Sequence, residues 1–307
     1  MQKNTQRTIK QIWKSEPTIE GAGVHLHRAF GFHELPMLDP FLLLDDFRSE
    51  NPADYIEGFP WHPHRGIETI TYVLDGDVEH GDSMGHLGHI GAGDVQWMTA
   101  GSGIIHQEMP KGNRKGEMFG FQLWANLPAQ HKMMDPRYQG ITQKEIPVIK
   151  TDDGATIKII CGTVNGTHGP VKNIMIEPEY IDVYLPAGKS FTHLVKNGHT
   201  VFAYVIEGQA YFDPSRTPFS YAAVGTNYFD MKPPCLCGDG TLVLYERKGD
   251  HLVVTTDKNP VRFLLVSGKP INEAIAWYGP IVMNTQDELR VAFQEYNEGT
   301  FIKSTQS

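Results

Sequence analysis

The chain has 307 residues, enough for two domains or one large β domain. A net charge of −9 argues against nonspecific binding to nucleic acid or to an anionic membrane. Hydrophobic residues make up 40%, enough for a buried core, and 31 Gly with 20 Pro suit the many turns of an all-β protein.

Residues 1–15 are polar and mildly basic, without the apolar stretch of a secretory signal. No run approaches the ~20 apolar residues of a membrane span. The cysteines Cys161, Cys235 and Cys237 are too few, and odd in number, for a disulfide framework. The expectation is a soluble protein of a reducing compartment: cytoplasmic, or nuclear in a eukaryote. Cys235 and Cys237 follow Pro233-Pro234 and read as part of a turn.

Residues 8–35 alternate loosely and read as short strands joined by turns at Gly21, Gly23 and Gly31. His25 and His27 lie two apart there and read as part of a wall strand. Residues 38–47 form an apolar run bracketed by acids, which fits a buried strand opening at Pro40. Next comes Trp61-His62-Pro63-His64-Arg65-Gly66, at the head of the alternating run Ile67-Glu68-Thr69-Ile70-Thr71-Tyr72. Residues two apart in a strand share a face, so His62 and His64 can reach one point in space. Asp75-Gly76-Asp77 then turns the chain. A glycine-rich connection carries His86 and His89, read as solvated loop histidines. Gly101 and Gly103 precede a second pair at the same spacing, His106 and Glu108. On facing strands the two pairs would form a site of three histidines and one carboxylate. Phe119, Phe121, Leu123 and Ala125 share one face of a further strand, with Gln122 on the other.

The second half repeats this grammar. Residues 200–208, a β-run ending in Glu207-Gly208, echo residues 69–76, which end in Asp75-Gly76. That reads as an internal duplication. Near the echo, His193 is followed by Leu194 and Val195, and Asp250-His251 has no His-x-Glu, so no metal is expected in the second half. Leu289, Ala292, Phe293 and Tyr296 have helical spacing. Thr285 with Glu288 forms a capping box ahead of them.

Leu38-Asp39-Pro40-Phe41, His62-Pro63-His64-Arg65-Gly66-Ile67-Glu68-Thr69, Gln96-Trp97-Met98-Thr99-Ala100-Gly101, His106 with Glu108-Met109-Pro110, and Val282-Met283-Asn284-Thr285 resemble the pirin family. The resemblance spans about residues 7–300. It implies an all-β bicupin, two jelly-roll barrels face to face with a C-terminal helix. The expected division is a metal-binding domain over residues 1–135 and a second domain over residues 145–307 that ends in the helix.

The resemblance further implies iron, Fe2+ or Fe3+, held by His62, His64, His106 and Glu108, with Glu108 also catalytic. Glu68 is expected in the wall, paired with Arg65. Other divalent first-row metals suit the same donors. Two functions follow from the resemblance. One is a quercetin 2,3-dioxygenase-type enzyme taking a flavonol-like small molecule and O2. The other is an iron-dependent redox regulator, a transcription co-regulator acting through a protein partner. The expected form is a monomer without direct contact to nucleic acid or membrane.

Overall fold

Period-two alternation dominates both halves, and the computed structural model is correspondingly built from strands over residues 5–224, 229, 231 and 235–303, which it describes. The packing gathers the chain into two units, each made from two stretches of sequence. One joins Pro17–Glu145 with Ile271–Ser307, and the other joins Met1–Glu16 with Ile146–Pro270. The expected contiguous division, 1–135 and 145–307, is therefore exchanged at both ends. The physical reason is strand pairing at one end and helix docking at the other. Ile9–Lys14 pairs antiparallel with Thr241–Tyr245. Arg65 forms an ion pair with Glu295 of the terminal helix. By packing, that helix joins the unit of Pro17–Glu145.

The unit containing Pro17–Glu145 has two sheets. A seven-stranded sheet runs in the order Arg137–Ile141, Val95–Thr99, Ile67–Asp75, Phe119–Asn126, Phe41–Asp46, Val24–Phe30, Glu16–Glu20. A four-stranded sheet runs Phe59–His64, Ile104–Pro110, Asp77–Asp82, Leu87–Gly91. Val78 and Ile90 of the smaller sheet pack with Val24, Leu26 and Val73 of the larger one. The C-terminal stretch adds the hairpin of Ala276–Tyr278 and Ile281–Met283 and then the helix Gln286–Asn297. Thr285 caps that helix and Glu288 completes the box, as expected. Its face turned to the unit buries Leu289 and Ala292.

The other unit is built on a sheet running from Val148–Lys150 through Thr156–Cys161, Glu179–Leu185, Val261–Gly268 and Thr200–Tyr211 to Thr241–Tyr245. Ile157, Ile181, Val183, Val201 and Phe263 fill its core. All three cysteines are free thiols, and Cys237 is buried in Leu236–Gly238. Pro233 and Pro234, where a turn was expected, lie outside the described residues. Among the described residues no helix is long and apolar enough to cross a membrane.

One glycine deserves its identity on steric grounds. Gly66 joins the first histidine strand to the next one with φ +79, and a Cβ there would lie 2.0 Å from the Val282 carbonyl oxygen. Both strain and backbone overlap oppose a side chain. Gly66→Ala is expected to cost about 3 kcal/mol or more. Urea unfolding checks this, and a midpoint equal to that of the wild type would contradict it.

Candidate metal centre

The strand Phe59–His64 brings His62 and His64 to one face, and Ile104–Pro110 lies antiparallel beside it. The register sets His106 directly opposite His62. A bulge between His106 and Glu108 follows, so Glu108 falls opposite Phe59. The ring centroids are 4.8 Å apart for His62 and His64, 4.4 Å for His62 and His106, and 4.9 Å for His64 and His106. One ligand nitrogen from each histidine lies within 4.8 Å of the others. Among the described residues, no other group of three metal-binding side chains is drawn this close.

Hydrogen bonding fixes the tautomers. His62 Nδ1 faces the Pro60 carbonyl oxygen at 2.8 Å, and His64 Nδ1 faces that of Pro280 at 2.9 Å. A carbonyl only accepts, so each Nδ1 carries the proton and donates it. Each Nε2 is left with a lone pair, and the two Nε2 atoms stand 3.0 Å apart. Neither can donate to the other. His106 is wholly buried, and among the described residues both its ring nitrogens lack a partner. Such an orphan costs about 1–3 kcal/mol.

Burial keeps all three imidazoles below their usual pKa. For His64 the His62 ring adds to this, and for His106 the His64, His62 and His80 rings add to it. For His62, the Pro60 carbonyl and Glu108 act against the burial. The site is thus three neutral imidazoles with converging lone pairs, which is what a divalent first-row metal requires. The residues fit the metal that the sequence pattern implied.

Glu108 is buried but stands outside the tight cluster. Its Oε1 accepts from the Thr71 hydroxyl at 2.6 Å, and its Oε2 accepts from the Gln122 amide at 2.7 Å. Glu108, His62 and His64 line a cavity of about 690 Å³. Trp124, Trp277, Phe32 and Phe59 give it aromatic walls. Arg28, bound to Asp45 through two 2.8 Å bonds and to Glu20 through another, supplies a polar side. Burial raises the Asp45 carboxyl to about 6, with the Arg28 guanidinium pulling the other way.

The remaining histidines go elsewhere. His25 and His27 lie exposed on Val24–Phe30. His86 bonds Asp82 at 2.9 Å and stacks on Tyr138, and His89 bonds Asp77 at 2.8 Å. Glu68 is a buried wall residue, but its partner differs from the expected one. It accepts from the Thr99 hydroxyl at 2.7 Å and sits 3.8 Å from Arg137. Arg65 instead reaches Glu295 at 2.7 Å, because it sits at the turn against the terminal helix.

Thr71 and Trp277 were not singled out as site residues by the sequence, and Gly279-Pro280 entered only as part of the family resemblance. Thr71 could have been found, since it shares a strand face with Glu68's neighbour Thr69 in the alternating run. Nothing in the local pattern of residues 276–283 signals a part in a site more than 200 positions away, as the 216-residue separation of His64 and Pro280 makes plain.

Comparison with known proteins agrees on two domains. The family profile "Pirin" matches residues 23–125, and "Pirin C-terminal cupin domain" matches residues 180–302. A pirin-like protein of Caulobacter vibrioides is 41% identical over 96% of this chain and 99% of its own length. The pirin of Rattus norvegicus is 37% identical over 90% of this chain and 87% of its own. A crystal structure of quercetin 2,3-dioxygenase from Acinetobacter baumannii superposes with a TM-score of 0.83 at 30% identity, covering 97% of this chain and all of that one. With two cupin domains and sequence identity along nearly its whole length, the chain belongs to the pirin family.

Proposed function

We propose that the chain is an iron-dependent oxygenase of the quercetin 2,3-dioxygenase type, working at the cavity of the first barrel. The observation that carries this reading is the cavity itself. About 690 Å³ of space opens onto His62, His64 and Glu108 between aromatic walls, a size and lining suited to a flavonoid-sized ligand. The similarity to an Acinetobacter baumannii quercetin 2,3-dioxygenase supports it. A regulator acting only through a surface would have no need of such a cavity.

His62, His64 and His106 would hold the metal, with Glu108 completing the set or standing beside it. Bound there, iron supplies Lewis acidity and reactivity toward O2. The chain's residues do the rest. Trp124 and Trp277 offer faces to a planar polyphenol. Glu108 takes the proton of the flavonol 3-hydroxyl as general base. Thr71 and Gln122 aim its carboxylate. The apolar walls keep bulk water from the reacting centre.

The test is quercetin loss with O2 uptake and carbon monoxide release, using anaerobically iron-reconstituted protein beside a metal-free sample. Turnover by the iron form alone is the expected result. Iron bound at full occupancy without turnover would contradict the enzyme reading and favour a redox-dependent protein partner. A further variant probes the carboxylate's support. Gln122→Leu removes one of the two donors to Glu108 and is expected to lower kcat about tenfold, with metal content unchanged. Steady-state kinetics on metal-matched samples checks this.

A further inference from the structure

We propose that residues 276–283 act as a docked strap that completes the metal centre, so that strap docking and metal occupancy are thermodynamically coupled. The proposal rests on the metal-site reading above. It does not depend on which reaction the site performs.

The strap is the hairpin of Ala276–Tyr278 and Ile281–Met283, turned at Gly279-Pro280. It grips three consecutive residues of the site strand and its turn. The Pro280 carbonyl accepts from His64 Nδ1 at 2.9 Å. The Val282 N–H donates to the Arg65 carbonyl at 3.1 Å. The Gly66 and Val282 carbonyls share the buried Lys132 ammonium, at 2.9 and 3.0 Å, and its third proton goes to Asn126 Oδ1 at 2.6 Å. Lys132 thus spends all three donors in a clamp between strap and site.

A second grip is aromatic. The Trp277 ring lies 5.8 Å from that of Trp124, which meets the His64 ring edge-on at 5.0 Å. Arg65 secures the far side. Its guanidinium donates to Glu295, to the Ser102 carbonyl and to the Phe301 carbonyl, and lies 4.2 Å above the Phe301 ring.

The consequence concerns His64. Its imidazole is wholly buried, and the Pro280 carbonyl is what fixes its tautomer and presents its Nε2 lone pair to the other histidines. Lifting the strap releases that Nδ1–H and removes Trp277 from the cavity wall. A metal-ligating histidine that loses such an outer partner typically loses ~10–100-fold in metal affinity. Linkage is reciprocal, so metal must stabilise the docked strap by the same factor that docking strengthens metal binding. A strap that served only for packing would lack this reciprocity.

The experiment uses the full chain with zinc, which avoids redox change. Zinc affinity is measured by competition with a chromophoric chelator. Hydrogen exchange is followed by mass spectrometry in peptides covering residues 276–283, with and without zinc. The expected result is exchange in these peptides slowed ~10-fold or more by zinc. In Trp277→Ala, which removes the aromatic grip but touches no proposed ligand, strap exchange quickens and zinc still slows it ~10-fold or more. Zinc binding with unchanged strap exchange in the wild type overturns the coupling while leaving the metal site standing. Faster exchange in Trp277→Ala that zinc does not slow does the same. Failure to bind zinc at all overturns both the site reading and the coupling.

Discussion

His106→Ala is expected to abolish stoichiometric metal binding, measured as metal per chain after reconstitution and desalting. The ring is fully buried and sits opposite His62, and neither of its nitrogens has a partner among the described residues. Losing an outer-shell partner already costs ~10–100-fold in affinity, and losing a ligand should cost more than that. The substitution also relieves a buried orphan of about 1–3 kcal/mol, so the metal-free protein should stay folded. The control is His89→Ala, whose exposed ring bonds Asp77, and which should load metal normally. Equal metal content in the two variants would remove His106 from the site.

Glu108→Gln is expected to keep most of the metal and to lose turnover by ~10²–10⁴, the usual worth of a general base. The substitution keeps the shape of the side chain and its places beside Thr71 and Gln122, while deleting the charge and the basic oxygen. The reading separates two roles. If the carboxylate is chiefly a ligand, metal content falls along with activity. If it is chiefly a base, the loss is in kcat at constant metal. Full turnover in the metal-loaded variant would sink the base role.

The three histidines were legible because strand periodicity is rigid. His62 and His64, two apart, had to share a face, and His106 joins them from the neighbouring antiparallel strand, whereas a bulge sets Glu108 outside the tight cluster. The terminal helix was equally plain, since its capping box is written in Thr285 and Glu288. What escaped was long-range. The placement of Ile9–Lys14 beside Thr241–Tyr245 depends on pairing across more than 200 residues, and no local pattern records it.

The strand Phe119–Asn126 shows a subtler limit. The apolar face read from the sequence, with Phe121 and Leu123, is buried as core. Gln122 and Trp124, half-buried on the opposite face, line the cavity, and the sequence did not mark them as site residues. Glu68 was expected to pair with Arg65. The turn at Gly66 instead leaves Arg65 to Glu295 and Glu68 to Thr99.

The most direct test of the central claim is X-ray absorption at the iron edge of reconstituted protein. The expected spectrum carries outer-shell imidazole scattering from three histidines per iron, reduced in His62→Ala. A spectrum without that scattering, or one unchanged in His62→Ala, would contradict the assignment of His62, His64 and His106 as the metal's ligands.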